Sequence, residues 1–162
     1  MSAAKTSSKK PSARRLAREF ALQALYQWQL AGQSVSFIEK QFAEAEGFDK
    51  ADKTFFGALL KSAILHADAT RDAVLPHLDR SWEELSPIER GVLLLSGREL
   101  LASPDVPYRV VINEAIELAK SYGGTDGHKY VNGVLDKLAA AARADEIAHA
   151  AKSGGTGRGK SS

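Results

Sequence analysis

The chain of 162 residues contains no cysteine, which excludes disulfide bonds, thiolate nucleophiles and cysteine-ligated metal sites. No apolar run reaches the ~18 to 20 residues that a membrane-spanning helix requires. P-loop, GxSxG and GxGxxG motifs are also missing, and none of the four histidines lies four residues from another, as paired metal ligands on one helix would. These absences predict a cytoplasmic protein that is not an enzyme and has no metal ion or other cofactor.

Acidic residues are missing from both ends of the chain. Residues 1–18 carry six basic residues and residues 152–162 carry three, whereas all 20 acidic residues lie between them together with 13 basic ones. The overall net charge of +2 therefore hides a body with a net charge of −7. Basic arms typically bind nucleic acid or another anionic surface. A solvated tail and a transit peptide are the alternatives.

Apolar residues recur at helical spacings almost throughout the chain. The first helix follows the basic tail, and Gly32 can end it. Capping boxes open two further helices, one at Ser36 with Glu39 and one at Ser86 with Glu89. A single helix is predicted from about residue 52 to residue 75.

An all-α fold is therefore expected, namely a compact helical bundle of about six to seven helices in two subdomains. Later helices are predicted from 108 to 122 and from about 128 onward. The predicted organisation is a flexible basic tail (1–12), a helical domain (13–140, with subdomains 13–78 and 79–140), and a helix extension with a flexible basic tail (141–162).

The first helix carries a second stripe beside its apolar face. Arginines can bind phosphates, while an aromatic ring and an amide offer a stacking surface and a base-edge contact, as single-stranded nucleic acid requires. Alternatively, the ring packs at a helix interface and the arginines point to water. The stripe consists of Arg15, Arg18, Leu22, Tyr26 and Gln29.

A glycine-rich segment, GGTDG, precedes the helix that begins at His128 and Lys129. Free N–H groups at a helix start, with a lysine nearby, can hold a phosphate oxygen. A glycine C-cap at Gly123 followed by an Asp126 N-cap explains the same residues without a ligand.

Two segments, RRLAREFALQALYQWQL and DVPYRVVINEAIELAKSYGGTDGHKYVNGVLDKL, resemble the NusB family of bacterial transcription antitermination factors. The resemblance spans roughly residues 14 to 140. It implies an all-α protein that binds the boxA element of ribosomal RNA transcripts. The implied partner is NusE, a protein of the small ribosomal subunit, with NusA, NusG and RNA polymerase in the larger complex; a homodimer is also possible.

The resemblance also implies residue roles. Its arginine-rich segment corresponds to Arg14, Arg15 and Arg18, and its first-helix tyrosine to Tyr26. Leu16 interrupts the arginine run, so Lys9 and Lys10 are expected to share the contact. Its second RNA-contacting region corresponds to Asp126, His128, Lys129, Tyr130 and Asn132, in which Tyr130, like Tyr26, is expected to stack on a base.

A surface for NusE is predicted around the helix after Pro87, at Glu83, Glu89 and Arg90. Two other functions remain open. The first is a helical protein-interaction module whose acidic body binds a basic partner and whose RNA affinity is incidental. The second is an RNA-modifying enzyme, since RNA cytosine methyltransferases carry a similar helical domain, but the chain offers neither a cysteine nucleophile nor room for a cofactor-binding α/β domain.

Overall fold

The computed structural model describes residues 12–124 and 126–161, which form eight α-helices and three 3-10 turns, with no strand among them. The all-α prediction is confirmed. Lys9, Lys10 and the rest of the N-terminal tail up to residue 11 lie outside the described residues. The helices are α1 (Ala13–Ala31), α2 (Val35–Ala43), α3 (Lys53–Leu65), α4 (Ala67–Val74), α5 (Pro87–Ala102), α6 (Tyr108–Tyr122), α7 (Gly127–Ala142) and α8 (Ala144–Ser161). The 3-10 turns are Phe48–Lys50, Leu75–His77 and Trp82–Glu84.

The chain divides into two compact units, Met1–Leu65 and His66–Ser162. The sequence predicted a boundary after residue 78, whereas this division lies after Leu65. The helix predicted over 52–75 is also interrupted, because His66 leaves helical geometry with φ −107° and ψ 22°. The apolar spacing continues across His66, so periodicity alone could not reveal the break.

α4 belongs to the second unit because it packs closely on α5. A Cβ atom placed on Gly97 of α5 would lie 3.0 Å from Thr70 Cγ2 and 3.6 Å from Val74 Cγ2. Thr70 and Val74 are both fully buried. The missing side chain of Gly97 therefore allows the two helices to approach.

In the first unit, α1 is capped at both ends. Ser12 Oγ accepts a hydrogen bond from the Arg15 N–H at 3.0 Å. Gly32 adopts a left-handed conformation with φ 66°, and its N–H donates to the Trp28 carbonyl. The predicted stop at Gly32 is confirmed, because glycine adopts this conformation at little cost.

Four phenylalanines form the aromatic core of the first unit. The ring of Phe20 in α1 lies 5.2 Å from that of Phe48 and 6.2 Å from that of Phe42. Phe56 of α3 completes the cluster, 4.9 Å from Phe48 in an edge-to-face arrangement. Such geometry brings the positive edge of one ring to the negative face of another. The cluster thereby fixes α1, α2 and α3 against one another.

The predicted cap of α2 is wrong by two residues. Ser34, not Ser36, precedes the helix, and its Oγ accepts a hydrogen bond from the Phe37 N–H at 3.1 Å. Ile38 and Phe42 are buried, whereas Phe37 is exposed. Both serines lie in segments suited to a helix cap. Ser34 is the cap because the helix that starts there buries Ile38 and Phe42.

In the second unit, α5 is the central helix. Its side chains from Val92 to Leu95 are buried on every side of the helix, as expected for a helix with neighbours all round. Ser86 Oγ accepts from the Glu89 N–H at 3.1 Å, and Glu89 Oε1 accepts from the Ser86 N–H at 2.9 Å. The capping box predicted at this position is confirmed.

An arginine that lies 40 or more residues further along the chain bonds to the end of α5. Arg143, only 6% exposed, lies between α7 and α8. Its guanidinium donates to four backbone carbonyls at 2.7 to 3.1 Å and to the carboxylate of Glu146. The four carbonyls are those of Glu99, Leu100, Ser103 and Val106.

Glu146 in turn caps the start of α6, because its Oε2 accepts from the Tyr108 N–H at 2.9 Å. This hydrogen bond, assisted by Arg143, lowers the pKa of Glu146 below its usual value. The segment after Ala140, expected to be a helix extension with a flexible tail, therefore holds the α5–α6 connection in place. The described backbone of α8 is helical to Ser161.

Replacing Arg143 should destabilise the second unit strongly. Arg143→Met retains most of the side-chain volume but leaves buried carbonyls unpaired, so we expect a loss of about 3 kcal/mol in the free energy of unfolding. Denaturant unfolding followed by circular dichroism measures this. Arg71→Met is the control, because Arg71 pairs with Asp68 and Asp72 near the surface. This variant should cost under about 1 kcal/mol.

The contribution of Glu146 to the stability of the fold should depend on pH. Its folded pKa lies below the unfolded value, so its stabilising effect is present above the unfolded pKa and disappears as pH falls through the folded pKa. Glu146→Gln should therefore lower the melting temperature at pH 7 and have a progressively smaller effect under acidic conditions. A difference in melting temperature that is constant from pH 7 to pH 3 would contradict this assignment.

Candidate nucleic-acid interface

The basic start of α1 is organised around one aromatic ring. The guanidinium of Arg14 lies 4.3 Å from the centre of the Phe55 ring, and that of Arg18 lies 4.9 Å from it. Both distances are those of cation–π contacts. Two arginines one turn apart are thus held on a single residue of α3.

The carboxylate of Asp52 lies beside this stack. Its Oδ2 is 3.9 Å from Arg14 Nε, and its Oδ1 accepts from the Phe55 N–H at 3.0 Å. The Asp52 N–H donates to the Ala13 carbonyl at 3.0 Å. Asp52 therefore caps α3 and connects it to the first residue of α1. We call Arg14, Arg18, Asp52 and Phe55 the arginine–phenylalanine cluster.

The structure contradicts the expectation that Arg18 lies on an exposed stripe. Arg18 is only 4% exposed, and Leu22 in the same stripe is fully buried. One apolar face was recognised in the sequence, but α1 is buried over a wider arc that includes these residues. Arg18 is placed to support the cluster from beneath.

Four other predicted residues of α1 reach the surface. Arg14 has half of its side chain exposed, Arg15 is partly exposed, and the ring of Tyr26 is 38% exposed. Gln29 is partly exposed as well. Arg15 and Tyr26 are eleven residues apart, hence roughly 16 Å along the helix and within about 20° in direction. A strip of positive charge and aromatic surface therefore remains on α1.

In the second unit, the predicted residues surround the start of α7. Lys129 is exposed, and its Nζ lies 3.7 Å from Asp126 Oδ1. Asp126 is the N-cap residue of α7, as predicted, although its carboxylate makes no capping hydrogen bond to the helix. Gly123 ends α6 as predicted, with its N–H donating to the Ala119 carbonyl at 2.8 Å.

His128 and Asn132 are partly exposed. Asn132 lines an open cavity of about 310 Å³ between α6 and α7, opposite Arg109 and Asn113. Thr125 of the glycine-rich loop lies outside the described residues. Lys129 and Asn132, three residues apart, are placed on neighbouring parts of the α7 surface.

The ring of Tyr130, which is predicted to stack on a base, already has an arginine over it. The guanidinium of Arg80 lies 4.0 Å from the centre of the ring and covers one face. The hydroxyl of Tyr130 accepts from the Asp79 N–H at 3.3 Å, and Arg80 Nε donates to Asp79 Oδ1 at 2.8 Å. We call Asp79, Arg80 and Tyr130 the Arg80 cluster.

Hydrogen bonds and burial shift the pKa values of the Arg80 cluster. The hydrogen bond from Arg80 lowers the pKa of Asp79, and the same bond raises the pKa of Arg80. Burial raises the pKa of Tyr130. Asp79 and Arg80 therefore stay ionised as a pair near neutral pH, while Tyr130 stays protonated.

Sequence reasoning missed Asp52, Phe55 and Arg80. Asp52 carried a local signal, since aspartate before a helical segment is a typical N-cap. Phe55 fits the apolar spacing of its helix, and Arg80 lies in a short connection without periodicity. The cation–π contacts of Phe55 and Arg80 join residues that are 37 or more positions apart, so no local pattern relates them.

Two of the three residues predicted for NusE stabilise the fold. Glu89 closes the capping box of α5, and Arg90 Nη1 donates to the Leu85 carbonyl at 2.7 Å. Glu83 is exposed and remains available to a partner. Within residues 12–124 and 126–161, no cluster of histidine and carboxylate side chains could hold a metal ion, and no helix is both long and apolar enough to cross a membrane.

Two known proteins with similar sequences carry the same name. The chain is 54% identical over 136 residues to the transcription antitermination protein NusB of Aromatoleum aromaticum, covering 84% of this chain and 94% of that protein. It is 55% identical over 141 residues to the protein of the same name from Paraburkholderia phytofirmans, covering 87% of this chain and 98% of that protein.

Solved structures agree with the sequence matches. NusB of T. maritima superposes with a TM-score of 0.69 at 32% identity, covering 81% of this chain and 92% of that one. A chain from a complex of the antitermination factors NusB and NusE with double-stranded RNA gives a TM-score of 0.70 at 26% identity, covering 80% and 97%. The model of the NusB family matches residues 15–140, so the chain belongs to the NusB family, as the resemblance in the sequence indicated.

Proposed function

We propose that this chain is an RNA-binding transcription antitermination factor that recognises boxA RNA of ribosomal RNA transcripts together with NusE. The observation that carries the proposal is the arginine–phenylalanine cluster at the start of α1, where Arg14 is exposed on a ring that also holds Arg18. Family membership supports the same function, since a structure of relatives contains NusB, NusE and RNA. The role is one of binding rather than catalysis.

The arginine–phenylalanine cluster and the rest of α1 have different roles in RNA binding. Arg14 and Arg15 supply phosphate contacts, which depend on salt. Because Arg18 is buried, it positions Phe55 and Arg14 and does not contact RNA. Tyr26 offers an exposed ring on which an unpaired base gains about 1 to 3 kcal/mol by stacking. A second contact region consists of Lys129, His128 and Asn132. On α1, Gln29 contributes an amide.

NusE is the proposed protein partner, with NusA, NusG and RNA polymerase in the larger assembly in the cytoplasm. Of the residues predicted to contact NusE, Glu83 is the direct candidate, because Glu89 and Arg90 bond to their own unit. Those two residues shape the surface on which Glu83 lies. Self-association is a further possibility that sedimentation would test.

The proposal is tested by titrating the protein with boxA RNA and with a scrambled RNA of equal length, each with and without NusE. We expect tighter binding to boxA, enhanced by NusE. Equal affinity for the two RNAs under all conditions would refute boxA recognition. If NusE still binds in that case, the chain acts as a protein-interaction module.

Removing the exposed arginines should change the salt dependence of binding. For single-stranded RNA each phosphate contact contributes about −0.7 to the log–log slope, so Arg14→Ala with Arg15→Ala should flatten the slope by about 1.4. Fluorescence anisotropy across a salt series measures it. Lys40→Ala with Lys50→Ala removes the same charge from exposed positions of the same unit and should leave the slope nearly unchanged.

Phe55 should affect binding by holding the arginines in place. Phe55→Leu removes the ring but no charge, so we expect a several-fold weaker affinity with an unchanged salt slope, because ordering Arg14 then costs entropy on binding. Phe55→Trp retains an aromatic surface and should restore affinity. Weakening by both variants alike would argue against a stacking role, and thermal melts check that each variant folds.

A further inference from the structure

Arg80 is held in place more firmly than an exposed arginine usually is. One face of its guanidinium rests on the Tyr130 ring at 4.0 Å, and its Nε donates to Asp79 Oδ1 at 2.8 Å. The backbone of Asp79 is itself bound to the hydroxyl of Tyr130. The three residues thus form a closed ring of contacts that fixes the plane of the guanidinium.

Part of the Arg80 side chain remains open to solvent. The Arg80 side chain is 42% exposed although Tyr130 covers one of its faces. A guanidinium is flat and weakly hydrated compared with an ammonium group, so its faces stack readily on aromatic rings. In recognition of unpaired RNA, bases stack on arginine planes as well as on aromatic side chains.

The charge of Arg80 favours stacking over phosphate binding. Asp79 neutralises Arg80 at hydrogen-bond distance, so the pair attracts a phosphate far less than an isolated arginine would. The neutralised pair still presents a flat surface. Lys129, adjacent to Tyr130 in the sequence and 74% exposed, offers a more available charge for the RNA backbone.

We propose that Arg80 is a base-stacking residue of this protein, on which an unpaired nucleobase of the bound RNA completes a stack of tyrosine ring, guanidinium and base. In this arrangement Tyr130 is a positioning residue and makes no contact with the base. The inference rests on the proposed function, because it places Arg80 within the second RNA-contacting region. Since the plane is fixed before RNA arrives, little conformational entropy is lost on stacking.

The test uses the full chain with NusE and a set of boxA RNAs in which each base in turn is replaced by an abasic site. Arg80→Lys keeps the charge and the length of the side chain but removes the plane. We expect it to weaken binding to intact boxA about tenfold with an unchanged salt slope. One abasic position should weaken binding by wild type but not by Arg80→Lys.

Arg71→Lys is the matched control. Arg71 has a similarly exposed side chain, 38%, and also pairs with the aspartate next to it in sequence, but it covers no aromatic ring among the described residues. It should bind every RNA as the wild type does. Circular dichroism melts of both variants confirm that folding is unchanged.

Affinity of Arg80→Lys within twofold of wild type would overturn the inference, as would equal losses by wild type and Arg80→Lys at every abasic position. In either case the proposed function stands, provided that wild type still prefers boxA to scrambled RNA. If wild type shows no such preference, both the proposed function and the stacking role of Arg80 are refuted.

Discussion

Stacking of guanidinium groups on aromatic rings is the interaction on which the candidate interface depends. Arg14 and Arg18 share the ring of Phe55 in the first unit, and Arg80 lies on Tyr130 in the second. A guanidinium can be covered on its face and still donate hydrogen bonds from its edge. Each ring therefore fixes a cation without occupying all of its donors, and an aspartate lies beside each stack.

Much of the fold could be predicted because its signals are local. The capping box at Ser86 with Glu89 and the glycine stop of α1 each depend on residues within four positions. The cap of α2 and the break at His66 could not be predicted, since neighbouring serines compete and the apolar spacing continues across the break. Packing against another helix decides both.

The candidate site was less predictable than the fold, for a related reason. Periodicity places residues on a face of a helix but does not say how many neighbours the helix has. The sequence therefore predicts an exposed RNA-binding position for Arg18, although α1 is buried there. Tyr130 was recognised as important, but its partner Arg80 lies 50 residues away and in no regular pattern. Contacts of that range are visible only in three dimensions.

The position of Arg143 has a consequence for the order in which the chain folds. Arg143 closes the end of α5 by bonding to a carbonyl 43 residues earlier, and Glu146 caps α6 from the same place. On the ribosome, α5 and α6 are made and released first. Their connection is completed only after the chain has been made as far as Glu146, so folding of the second unit depends on residues that follow α7.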